Sequence, residues 1–124
     1  MKVTDVANGT KQYAFNIVDE LAQNDFVIGA ARPFIKMVIE NNFHKVSNFL
    51  KIAADEKGEI DIEKLIDDSI KSTLNSKQAI YPLGSFGTIE FGNNAMKLNI
   101  LNKFVKFDAN DFIKLKNYLV ENYK

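Results

Sequence analysis

Residues 53–64 read ADEKGEIDIEKL and combine acidic side chains with a central glycine, which is the outline of an EF-hand calcium loop. Such a loop places oxygen ligands at positions 1, 3, 5 and 12 and a glycine at position 6. With Gly58 at position 6, Asp55 falls on position 3, but positions 5 and 12 are Lys57 and Lys64. Because two ligand positions carry ammonium groups, the sequence predicts no calcium site here, and we expect no other metal or cofactor.

The same segment fits a tight connection between two helices. Asp61 is a favourable N-cap for a helix that begins at the next residue, and Gly58 can supply a turn with positive φ. We therefore expect Asp61→Ala to cost ~1 kcal/mol through loss of the cap, and Asp55→Ala to cost much less.

Candidate catalytic residues are few. His44 is the only histidine and the chain has no cysteine, so a triad would need His44 beside an activated serine. Ser85 lies in Leu83-Gly84-Ser85-Phe86-Gly87, which lacks the G-x-S-x-G spacing, and no lysine follows these glycines as in a phosphate-binding loop. The sequence therefore predicts a protein that is not an enzyme.

Composition favours one globular domain over residues 1–124. Apolar residues make up 46% and charged residues 26%, and 16 basic residues balance 16 acidic ones. A net charge of zero gives no strong nucleic-acid signal, since such proteins usually carry a basic surface. Residues 26–39 are the most apolar stretch, too short to span a bilayer and interrupted by Arg32-Pro33. We expect a cytoplasmic protein that makes no membrane contact.

Hydrophobic periodicity predicts an α+β fold. The N-terminal two-thirds should form about four helices, followed by a three-stranded antiparallel meander and a C-terminal helix. Residues 1–9 are expected to be a flexible arm, and a break or a kink is expected at Asn41-Asn42. The predicted helices cover 11–23, 33–41, 43–54 and 62–75, the strands cover 88–91, 95–100 and 104–107, and the last helix, capped by Asp108, covers 109–122.

The run Phe34, Ile35, Met37 and Val38 is the strongest candidate for a contact surface. It is apolar on nearly every side of a predicted helix, with Lys36 the single interruption. A helix of this kind is buried all round, or is buried on one side and packed against a partner on the other. This favours a protein partner or self-association.

Charge is divided along the chain. Residues 54–68 contain seven acidic residues and two lysines, a balance of −5, whereas residues 97–116 contain five lysines and two aspartates, a balance of +3. Such patches can orient an encounter even when the net charge is zero. We take Asp67, Asp68, Lys114 and Lys116 as their candidate contact residues.

The leading functional hypothesis is a small non-enzymatic interaction or assembly protein. A winged-helix-like nucleic-acid binder is the first alternative, because helices are followed by a hairpin over residues 88–100. The acidic residues of the predicted 62–75 helix argue against it, since DNA phosphates would repel them. A small-molecule-binding domain is the second alternative, because clefts are common in folds of this size.

Overall fold

The computed structural model describes residues 1–74, 78–82, 84–85, 87–92, 95–100 and 103–123. In chain order these residues form α1 (Val3–Asn24), α2 (Phe26–Ala53), α3 (Ile62–Leu74), β1 (Ala79–Pro82), β2 (Gly87–Gly92), β3 (Ala95–Ile100), β4 (Lys103–Phe107) and α4 (Ala109–Tyr123). The fold is α+β, as predicted. Contacts divide the chain into two compact units, Met1–Ile62 with Asn117–Lys124, and Glu63–Lys116. The prediction of a single domain stays a prediction.

The first unit is built on an antiparallel pair of long helices. Asp25 is the only residue between α1 and α2, and its carboxylate accepts hydrogen bonds from Val27 N and Ile28 N, at 2.9 and 3.1 Å. One residue thus ends α1 in an extended conformation and caps α2. The two helices then pack along their length and bury apolar side chains, which include Val6, Val18, Ile28, Ile35 and Leu50.

Charged side chains at the margins of this pair hold the helices in register. Asp19 Oδ1 on α1 lies 2.7 Å from Lys36 Nζ and 3.6 Å from Arg32 Nη1 on α2. Closer to the start of α1, Lys11 Nζ lies 3.3 Å from Glu40 Oε1. These partly exposed pairs contribute little energy each, and they are consistent with the side of α2 that the buried apolar residues place against α1.

The prediction of separate helices over 33–41 and 43–54 is wrong, because residues 26–53 form one helix of 28 residues. Pro33 lies inside α2 and does not start it, since the cap at Asp25 lies a full two turns earlier. The expected break at Asn41-Asn42 is also wrong. Asn42 Nδ2 donates to Val38 O at 2.8 Å, so this side chain bonds to the preceding turn of the helix.

The prediction of a flexible arm over residues 1–9 is wrong as well. Val3 is the first residue of α1, so Thr10, expected to cap the helix, lies inside it. The residues before α1 pair with the loop after α2: Ile60 N donates to Met1 O at 2.6 Å, and Val3 N donates to Gly58 O at 3.1 Å. The polar sequence hid this pairing, because it uses backbone groups that any residue provides.

The C-terminal half of α4 packs against α1 at Gly9. A Cβ at this position would overlap the Leu119 side chain and would lie 2.8 Å from Tyr123 Cε2. One turn further along, the rings of Tyr13 and Tyr118 are 5.4 Å apart between centroids. Gly9 is therefore the point of closest approach between the two helices, and Leu119 is almost fully buried there.

We predict that Gly9→Leu destabilises the protein by about 1–3 kcal/mol, because the new side chain would force Leu119 and Tyr123 out of their positions. The measurement is the free energy of unfolding in urea. The neighbouring exposed Asn8 gives the control, since Asn8→Leu adds similar bulk to the same helix. Equal effects of the two substitutions would contradict the packing described for Gly9.

The second unit contains a four-stranded antiparallel sheet in the order β1-β2-β3-β4. Three of its strands confirm the predicted segments 88–91, 95–100 and 104–107 within one residue at each end. The prediction of three strands is nevertheless wrong, because Ala79–Pro82 adds a fourth, paired through Ala79↔Phe91 and Pro82↔Thr88. Four residues ending in proline were too short a pattern to predict, and β1 is an edge strand, where proline is tolerated.

The number of helices also differs from the prediction. Among the described residues, three helices and not four precede the sheet, and one helix follows it as predicted. The turns expected at Asn93-Asn94 and Leu101-Asn102 lie outside the residues that the structure describes.

The register of the sheet separates two faces. One face carries the apolar side chains Ala79, Tyr81, Ile89, Phe91, Met96, Leu98, Val105 and Phe107. The other carries a row of Glu90, Lys97 and Lys106, and a second row that ends in the exposed Phe104. Phe107 on the apolar face contacts Phe112 of α4 with ring centroids 5.1 Å apart.

A reciprocal cap begins α4 and confirms the predicted role of Asp108. Its Oδ1 accepts from Asn110 N at 3.0 Å, and Asp111 Oδ2 accepts from Asp108 N at 2.9 Å, which is the pattern of a capping box. Desolvation acts to raise the pKa of the Asp108 carboxyl, but hydrogen bonds with Asp111 and Asn110 and the charge of Lys106 outweigh it and lower this pKa. The cap therefore stabilises the fold at neutral pH and is lost as the pH falls through the lowered pKa.

Candidate interaction surface

The loop between α2 and α3 is organised around Asp55. Its Oδ1 accepts hydrogen bonds from Lys57 N and Glu59 N, both at 2.9 Å, while Asp55 N donates to Glu59 O at 2.9 Å. Gly58, with φ of 75°, closes the turn by donating from its N–H to Asp55 O. The carboxylate that resembled a calcium ligand thus binds backbone N–H groups of its own loop.

This geometry changes what we expect of Asp55. The small effect expected for Asp55→Ala rested on a solvated side chain, whereas this carboxylate holds two backbone donors. Asp61, by contrast, immediately precedes α3, as the predicted cap requires. Among the described residues, no group of three or more acidic or histidine side chains is arranged to hold a metal ion.

We predict that Asp55→Ala lowers the free energy of unfolding by about 1 kcal/mol, as for loss of a capping side chain. Glu56→Ala is the control, because Glu56 is an exposed acid in the same loop with no described bond. Thermal melting with and without millimolar calcium completes the test. We expect no calcium-dependent shift, since a ligand stabilises the fold only if it binds the folded state; a rise of several degrees that depends on Asp55 would contradict this role.

Two further features of the described residues bear on possible chemistry: the side chain of His44 and a cavity beside the sheet. The exposed His44 is within hydrogen-bond distance of its own helix, with Nδ1 3.1 Å from Asn41 O. A cavity beside β2 and β3, lined by residues that include Glu90, Phe91 and Lys97, has a volume of about 30 Å³. That is the space of one water molecule, whereas small-molecule sites occupy about 300–1,000 Å³.

The α2 helix carries exposed apolar side chains on the side that α1 leaves uncovered. Phe34 and Met37, two of the predicted contact residues, are exposed, and Val38 is half-buried. Ile35 is buried to 5% exposure and belongs to the core of the helix pair. The predicted run is therefore divided between two sides of α2, with one side packed and the other open.

The exposed surface extends well beyond the predicted run. We define the α2 face as Val27, Phe34, Met37, Phe49 and Ile52, which all exceed one-third exposure and lie within about 120° around the helix. Phe26 and Val46 lie at its margins and are also exposed. Sequence reasoning missed its C-terminal half because Phe49 was assigned to the core of a separate short helix. The signal was present in the spacing 27, 34, 38, 45, 49, 52, which marks one side of a single long helix.

The predicted charged residues fall on separate surfaces. Asp67 and Asp68 are exposed on α3, and they lie about 100° apart around the helix. On α4, Lys114 is exposed and Lys116 is half-buried, and their spacing of two residues directs them to different sides. Neither pair therefore converges on one point, and the structure does not bring the acidic residues and the lysines together in one site.

Comparison of the chain with protein-family models, with curated proteins and with solved structures finds no match. A search of the helices in the described part of the chain identifies none that combines the length and the apolar character needed to cross a membrane.

Proposed function

We propose that this chain is a non-enzymatic protein–protein interaction or assembly protein that binds its partner through the α2 face. The observation that carries the proposal is the exposure of large apolar side chains along one side of a single helix whose other side is packed. We place this activity in the cytoplasm, in line with the sequence-based expectation.

The size of the exposed apolar surface supports a contact of this kind. The α2 face with Phe26 and Val46 comprises seven side chains, whose exposed fractions run from 37% for Val46 to 90% for Phe26. Together they amount to about four full side chains, or ~800 Å² at ~200 Å² for each large residue. This surface is divided into an N-terminal and a C-terminal half, and each half is within the ~300–600 Å² of the largest apolar patch on a typical monomer, which is often functional.

The free-energy cost of this exposed apolar surface in the unbound protein also supports a contact with a partner. Apolar surface left in water forgoes roughly 25 cal/mol per Å², and exposed aromatic residues promote aggregation. Phe34 and Phe49 leave more than half of their surface open to solvent, so much of their apolar area is not used in the packing of the chain. A partner that covers them accounts for their presence on this side.

The two alternatives have less support. For nucleic-acid binding, the exposed Glu63, Asp67 and Asp68 of α3 would face phosphates unfavourably, although Lys97 and Lys106 lie on one face of the sheet. For small-molecule binding, the cavity beside β2 and β3, which lies among the described residues, has about 30 Å³ against the ~300–1,000 Å³ of ligand sites, and gives this alternative no support. Both stay predictions from the sequence.

Photo-crosslinking in the cells that make the protein tests the proposal. A benzophenone amino acid at position 34 or 49 should give protein adducts of discrete mass, because these side chains would lie inside the contact. Gln23, exposed on α1, is the matched control position and should give none. No adducts from α2, or equal adducts from all three positions, would overturn the assignment of this face.

A further inference from the structure

We propose that the α2 face is covered by the α2 face of a second copy of this chain, with the two helices antiparallel. This inference rests on the proposed function and adds the identity of the partner and the geometry of the contact. It follows from the distribution of apolar and polar side chains along α2, from the area of the face and from the alignment of the helix dipoles.

The α2 face is self-complementary when one helix is reversed. Its N-terminal half carries Val27, Phe34 and Met37, and its C-terminal half carries Phe49 and Ile52. We consider an antiparallel pair of α2 helices centred near residues 39–41. At each end of this pair, the N-terminal half of one α2 face contacts the C-terminal half of the other. Phe34 then packs near Phe49, and Val27 near Ile52, of the second copy.

Polar residues at the centre of α2 favour this register. Asn41 and Lys45 lie on the same side of the helix as the α2 face, between its two apolar halves. In an antiparallel pair the exposed Asn41 side chains of the two copies lie near the twofold axis, where amide groups can hydrogen-bond to each other. A polar residue at one position of a helical seam is a known means of fixing register at some cost in stability.

The area and the helix dipoles agree with this arrangement. The five side chains of the α2 face expose ~600 Å² per copy at ~200 Å² for each large residue, so two such faces reach the ~1,200 Å² at the lower end of standard interfaces. Reversing one helix places the partly negative C-terminal end of each α2 beside the partly positive N-terminal end of the other. Twofold dimers with one self-complementary surface are also the commonest form of oligomer.

Sedimentation of the purified chain from micromolar to millimolar concentration provides the first test. We expect a reversible dimer whose dissociation constant rises at least about tenfold in Phe34→Gln combined with Met37→Gln, because exposed anchors are removed without touching the core. Ile80→Gln, which removes an exposed apolar side chain from β1, is the control and should leave dimerisation unchanged. Circular dichroism melting verifies that each variant is folded.

Cysteine crosslinking provides the second test, since the chain has no cysteine of its own. Ala30, Asn41 and Asn48 are exposed and lie along one line of α2. With a short thiol-specific crosslinker, Asn41→Cys should crosslink to itself, and Ala30→Cys should crosslink to Asn48→Cys in mixed samples. Ala30→Cys should not crosslink to itself.

The outcomes separate this inference from the proposed function. Self-crosslinking of Ala30→Cys would indicate parallel helices and overturn the geometry. A monomer at all concentrations would overturn the second copy as partner, while adducts in cells from positions 34 and 49 would leave the proposed function standing. The dimer could instead be unaffected by the α2 substitutions and dissociate with added salt, or with Asp67→Lys combined with Asp68→Lys. That result would assign the contact to charged surfaces and would overturn the inference.

Discussion

The single-residue connection at Asp25 sets the geometry of the helix pair. With one residue between the helices, α2 begins immediately beside the end of α1, and the pairs Asp19–Lys36 and Lys11–Glu40 show that it runs antiparallel to α1. The cap at Asp25 offsets two of the unpaired N–H groups that any helix start exposes. Asp19 and Lys11 then orient α2 by pairing with its basic and acidic side chains. The connection at Asp25 and the ion pairs along the two helices therefore agree on which side of α2 is buried and which side is exposed.

The open side matters because α2 is long. It has 28 residues, against 22 in α1, and a helix covers only one side of its neighbour. A helix that is apolar almost all round needs a second covering surface. Within the described residues of the first unit, the C-terminal half of α4 packs at Gly9 of α1. The apolar character of α2 that was evident in the sequence is thus accounted for on one side by the buried Ile28, Ile35 and Leu50, while on the other side Phe34 and Phe49 stay exposed.

The sequence predicted elements well where periodicity was strong and local. The strands 95–100 and 104–107, the helix that begins at residue 62 and the cap at Asp108 all rest on side-chain patterns within one element. The sequence-based prediction was wrong where packing between helices outweighed the local preference of a residue for a helix end. Pro33 and Asn42 are ordinary helix boundaries in isolation, but in α2 the packing against α1 outweighs their cost. The pairing of residues 1–3 with 58–60 is a backbone contact across distant positions, and no periodicity encodes it. For the candidate site, the apolar run pointed to α2, but splitting the helix in two hid the continuity of Phe34 with Phe49.

The sheet illustrates why a helix is the better candidate for the contact. An unpaired edge strand is a ready template for association, and proteins commonly protect such edges with proline or lysine. Here β1 ends in Pro82, and β4 places Lys106 beside the exposed Phe104. Pairing two β4 strands about Lys106 would oppose like charges, which is unfavourable. The α2 face has no unpaired backbone groups to protect, and its cationic residue, Lys45, can extend along the neighbouring apolar side chains with its charge in water. The sheet edges thus carry features that oppose association, and the exposed side of α2 carries features that favour it.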